Sequence, residues 1–344
     1  MPKTGEQAYI YAKACGIIGK SFVGKRIGRL GSITRLTELD RLMFPQSYRD
    51  LPERELLGDL ERRIINHSVS QITDIINGYK KPPEFLIRLL RSYEYGDLKN
   101  ALAALAGKEP RVPAYTDLGR FRTVHFEAYP DLSRMLGGTE FAFLLAEPFT
   151  GRGEDIQTQT KLDQLYYGAL WDSLFKLPKQ ERSGIELILA EEIALRNVSW
   201  ALRLRTYYQM GEAEIRDKLV FLQYPKAPSR ALRPATLADE ALAVIDLPLD
   251  TYSAWQSWKR AGFLNPEQPG APWHVDPRYF QNAAAEHLYT LALHHFHRHP
   301  FAIDIAACFI KLKQFEDDLL TGVAEGLSLG IPIKDVFTLL DVEP

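Results

Sequence analysis

The chain has 344 residues, 46% hydrophobic and 25% charged, the balance of a folded protein long enough for two or three domain-sized units. A net charge of −2 excludes the global basic excess that holds nucleic acid or anionic lipid, so partners have to be read locally. Cys15 and Cys308 are too few for a disulfide framework, and the N-terminus shows none of the regions of a signal peptide; the expectation is a reducing cytoplasm.

The first chemistry-bearing stretch is ACGIIGKS, Ala14 to Ser21. It approaches the phosphate-binding pattern G-x-x-x-x-G-K-[ST], whose backbone N–H groups wrap phosphates, but Ala14 stands where the first glycine belongs. LAVID, ending at Asp246, imitates the magnesium-holding strand of such sites. No parallel α/β pattern surrounds either segment, so Lys20 reads as a solvated helix or loop residue. The first fifty residues carry nine Lys or Arg against four Asp or Glu, with Lys20, Lys25, Arg26, Arg29 and Arg35 crowded together. Such a patch meets acidic loops of a partner ring or anionic headgroups, or it is simply a solvated surface.

Helical patterns then follow one another: Leu51 to Ile76, Pro83 to Leu105, Thr158 to Phe175, Gln180 to Met210, Leu237 to Val244, Tyr279 to His297 and Pro300 to Leu327. Alternating strand-like runs are scarce, which predicts an all-α fold. Loops are expected where proline and glycine gather, from Lys108, Glu147, Tyr224 and Leu264.

Self-similarity organises this list. Three segments run helically spaced apolar residues into a proline, at Pro45, Pro148 and Pro248. Each is followed by a large apolar residue, a charge and then Asn or Asp: Leu98-Lys99-Asn100, Leu195-Arg196-Asn197 and Phe315-Glu316-Asp317. We read three related helical units, 1–128, 129–230 and 231–344, in one compact body.

In the second unit, Glu192, Arg196, Ser199 and Arg203 fall on one narrow face of a helix whose remaining faces are largely apolar. Glu192 precedes Arg196 by four residues, the favourable order for an ion pair. The strip is either a wall that presents charge to a partner or an intramolecular salt-bridge strip. Further on, HHFHRH places His295 and His299 one turn apart, but no nearby Cys or helically spaced carboxylate completes a ligand set; a polar helix end meeting the helix dipole is expected.

The run HPFAIDIAACFIKLKQFEDDLL from His299 to Leu320 is too short and too charged to cross a bilayer, which takes roughly 20 apolar residues. Pro300 suits the first turn of a helix. Ile305, Phe309, Leu312, Phe315, Leu319 and Val323 continue at helical spacing. Glu316, Asp317 and Asp318 are adjacent and point around the helix, so they do not form the one-sided carboxylate set of a magnesium site. They read as a solvated face following a packed one.

EYGDLKNALAALAG from Glu94, EEIALRNVSWALRLRTYYQ from Glu191 and PFAIDIAACFIKLKQFEDDLLTGVAEGLSLGIP from Pro300 resemble the rotor-socket family of V-type and archaeal-type ATPases, the C-type subunit of prokaryotic enzymes and the d-type subunit of vacuolar ones. The N-terminal AYIYAKACGII keeps the family's opening only through Tyr9 or Tyr11, Ala12 and Lys13, and the third unit carries a proline-rich insertion from Leu264 to Pro277. The resemblance implies three helical units arranged as a funnel, peripheral to the cytoplasmic face of a membrane. The funnel would join central shaft subunits of D and F type to the proteolipid ring. It also implies a non-catalytic role, with no cofactor, metal, nucleic acid or small-molecule substrate. Partner contacts are expected at Glu192, Arg196 and Arg203, in the funnel lining, and at Lys20, Lys25, Arg26 and Arg29. A soluble helical-repeat adaptor for cytosolic proteins is the alternative.

Overall fold

The protein is described here from a computed structural model covering residues 3–146, 156–224, 236–268, 270–300 and 302–340. Its helices are α1 (Lys3–Ile18), α2 (Leu36–Met43), α3 (Glu53–Ile76), α4 (Glu84–Leu90), α5 (Ser92–Ala106), α6 (Leu132–Leu136), α7 (Ile156–Phe175), α8 (Ser183–Tyr208), α9 (Glu212–Arg216), α10 (Asp239–Val244), α11 (Pro277–Phe296), α12 (Asp304–Ser328) and α13 (Ile333–Leu340), joined by short 3-10 stretches. No strand occurs among the described residues, and the all-α expectation holds. The proline-rich stretch from Glu147 to Asp155 and nearly all of that from Tyr224 to Pro234 lie outside the described residues, as does Pro148.

The long helices form where apolar residues return every three or four positions. Along α3, Leu56, Leu60, Ile64, Ser68, Ile72 and Ile76 make one buried stripe at four-residue spacing. Pro52 stands just ahead of the helix, and Glu53 and Glu55 meet the positive end of its dipole. Pro277 occupies the first turn of α11, where its missing N–H leaves no bond unmade, and the Asp276 carboxylate accepts from Arg278 N.

Two predicted helices differ in the structure. The pattern from Pro83 to Leu105 is broken at Arg91 into α4 and α5. There the Ser92 hydroxyl donates to Leu89 O and Arg91 Nε donates to Phe121 O, so side chains draw the backbone out of a continuous ladder. The last long helix begins at Asp304 rather than in a turn at Pro300, and the Asp304 carboxylate is directed across to α8, where it accepts from Gly184 N at 3.2 Å and Ile185 N at 3.4 Å. A helix start is thus capped by a residue of another helix.

The centre of the molecule is α12. Every residue from Asp304 to Lys313 is buried, which makes this half of the helix buried all round. It packs on α3 and α11 above all, and also on α1, α2, α4, α8 and α13. The main core joins α1, α3, α4, α5, α7 and α8 to the first half of α12. A second cluster sits between the end of α8, α10, α11 and the 264–275 stretch, and a third between α2, α3, α13 and the second half of α12.

Candidate functional site

Helices α5, α7, α8, α11 and α12 surround an open concavity of about 380 Å³. Each of the last four presents residues spaced by three or four: Gln159, Asp163 and Tyr167 on α7; Glu192, Arg196, Ser199 and Arg203 on α8; Gln281, Ala285 and Leu288 on α11; Lys311, Gln314, Phe315 and Asp318 on α12. Helical geometry alone aligns each set on one face. The strip read on α8 therefore does line a shared space, and Glu192, Arg196 and Arg203 are brought together there.

The pairing differs from the expected Glu192–Arg196 bridge. Arg196 bonds Asp163, which also takes Lys99 Nζ at 2.6 Å. Glu192 is held by Lys311 Nζ at 2.7 Å and by the Tyr167 hydroxyl, which donates at 3.1 Å. Both partners come from neighbouring helices. Lys311 is almost fully buried, so it requires a close anion more than an exposed helical pair does. Burial works against the charge of Arg196, but Tyr167, Asp163 and Glu192 more than offset this and its pKa is raised. Its guanidinium lies 5.3 Å from the centre of the Tyr167 ring.

Two charges in the lining stay without such partners. Arg203 Nε is buried without a hydrogen bond, its guanidinium 5.8 Å from the Trp200 ring centre. Asp318 forms no ion pair among the described residues. Its carboxyl is accessible to water yet walled by protein on most sides, and desolvation pushes its pKa up to about 6 although Lys311 pulls the other way.

The opposite side of α12 corrects the expectation of a solvated acidic face. Glu316 and Asp317 are 2% and 5% exposed. Glu316 bonds Lys313 and the backbone N–H of Phe22. Asp317 accepts from Ser68 on α3 and, at 2.7 Å, from the Tyr93 hydroxyl on α5. The two acids are internal because the helix carrying them is internal, and each finds at least one donor from a distant part of the chain.

The N-terminal basic residues stand apart from the concavity. The N–H groups of Gly19, Lys20 and Ser21 donate to Cys15 O, Ile17 O and Ile18 O, so this stretch closes α1 instead of opening as a phosphate loop. Lys20 and Arg29 are exposed, and Arg26 donates to Lys20 O. Lys25 lies in the 3-10 stretch Gly24–Ser32, and its side chain is outside those described. In the histidine tract, His295 is buried while His294, His297 and His299 are exposed. Among the described residues no three His, Cys, Asp or Glu are grouped to hold a metal ion, and no helix is long and apolar enough to cross a membrane.

The described residues form an all-helical body with a concavity lined by charge. The family is more particular. The chain belongs to the ATP synthase (C/AC39) subunit family, whose model matches residues 27–336. It is also 28% identical over 324 residues, 94% of this chain and 92% of the relative, to an uncharacterized protein of Treponema pallidum (strain Nichols).

Proposed function

We propose that this chain is a non-catalytic rotor component of a V/A-type ATPase. In this reading the three units, 1–128, 129–230 and 231–344, form a funnel on the cytoplasmic side of the membrane. The concavity receives the end of a central shaft of D- and F-type subunits, and the body sits on the proteolipid ring. Torque then passes between shaft and ring during ATP-driven ion transport or ATP synthesis, without a cofactor in this chain. The observation that carries the reading is the charged concavity, in a chain that belongs to a family of ATP synthase subunits.

The physical demand fits the construction. A contact that transmits rotation has to resist slip, which favours polar complementarity on a stiff wall. Here the wall is cross-braced by ion pairs between α5, α7, α8 and α12. The basic segment with Lys20, Lys25, Arg26 and Arg29 is assigned to the ring or to headgroups around it.

The test is affinity purification of the tagged protein from its native membranes in mild detergent, followed by mass spectrometry. Recovery of ring, shaft and ATPase subunits is expected. A protein that comes away free of them, from membranes whose ATPase is intact, would instead be the helical-repeat adaptor.

A further inference from the structure

All but two of the ionised side chains lining the concavity are satisfied from within the chain. Asp163 pairs with both Lys99 and Arg196, and Lys311 pairs with Glu192. Arg203 on α8 and Asp318 on α12 remain, of opposite sign and on different walls of the same space. A buried donor such as Arg203 Nε with no acceptor carries the full cost of its lost hydration, so its position in the lining calls for an acceptor brought from outside.

We propose that the occupant of the concavity is a protein segment that presents a carboxylate to Arg203 and a cation to Asp318. This rests on the socket reading above and adds the chemistry of the occupant. Because the two contacts lie on different walls, together they fix the occupant's rotation about its own axis, which one charge pair cannot do. The braced pairs around them hold the walls in place, so little ordering is left for the moment of docking.

The reading also sets a pH dependence. Asp318 shares the concavity with Lys311 on its own helix, Glu192, Arg196 and Arg203 on α8, Lys99 on α5, and Asp163 and Tyr167 on α7, and its charge also acts on the Tyr93 hydroxyl of α5. A docked cation stabilises the ionised carboxylate and lowers its pKa from about 6, so docking is strongest above that pH and weakens as pH falls through it.

The experiment is titration of the purified full-length chain with its isolated shaft subunits at pH 7.5 and 5.5. Wild type, Arg203→Glu, the milder Arg203→Gln and Asp318→Asn are compared, with each variant's helicity and melting checked. Arg203→Glu is expected to weaken binding at least about tenfold and Arg203→Gln by less. Asp318→Asn is expected to weaken it at pH 7.5 and to abolish most of the wild-type loss between the two pH values. If folded variants bind as wild type does, the keyed contact is overturned and the socket stands. If the wild type itself does not bind, the socket reading falls and this proposal with it.

Discussion

Lys311 of α12 reaches Glu192 of α8 at 2.7 Å in a setting where their side chains are only 8% and 16% exposed. Removing one member of such a pair leaves a charge in a poorly solvated place. Lys311→Met is expected to lower unfolding free energy by about 2–4 kcal/mol, since Glu192 then loses its bonded cation and keeps the Tyr167 hydroxyl as hydrogen-bond donor. Adding Glu192→Gln should restore part of the loss. Urea unfolding of the single and double variants checks this, and additive losses would mean that the two side chains are not coupled.

Asp317 gives a pH signature of opposite sense to that of a surface salt bridge. Burial pushes its carboxyl up to about 7, against an ordinary value of about 3.9. Between those values the folded chain keeps a proton that the unfolded chain has given up. Stability therefore falls as pH rises through the window, by up to about 1.4 kcal/mol per unit. Asp318 adds to the same trend over its lower part. Asp317→Asn should gain on the wild type from about pH 4 to about pH 7 in chemical unfolding and level off above that. A difference that does not change with pH would rule out this site as its origin.

The C-terminal helix is fitted to a glycine. A Cβ at Gly326 would overlap the Val336 side chain, so α13 docks only because position 326 has none. Gly326→Ala should cost about 1–3 kcal/mol by forcing the two helices apart. The double variant with Val336→Ala should recover much of that. Melting temperatures of the three proteins decide it; no recovery would place the clash elsewhere.

The basic N-terminal segment is expected to act through charge. Reversing Lys20, Arg26 and Arg29 together to Glu should reduce retention on ring-containing membranes, and the deficit should shrink at high salt, which screens exposed charge. The same variant should bind isolated shaft subunits as wild type does. A uniform loss of both interactions would point to misfolding of the segment and not to its charge.

Much of this was legible in the sequence, for a physical reason: helix positions follow from apolar periodicity, and the α8 strip follows from three- and four-residue spacing. The recurrent apolar-charge-Asn marker was informative too, since the charges of its first two copies, Lys99 and Arg196, converge on Asp163. Asp163 itself was hidden among the polar residues of the start of α7. In the third copy the rule failed. Glu316 and Asp317 read as solvated because acids usually are, but their donors Phe22, Ser68 and Tyr93 come from remote parts of the chain, which local spacing cannot reveal. Local spacing likewise favoured Arg196 for Glu192, where the more deeply buried Lys311 prevailed.

The central place of α12 has a consequence for how the molecule is made. The apolar stripe Leu56, Leu60 and Ile64 is translated well before Leu320, Val323 and Ala324, which share its core cluster. The nascent chain therefore carries an uncovered greasy face until α12 has been made. A product stopped short of α12 would keep that face open to chaperones and proteases.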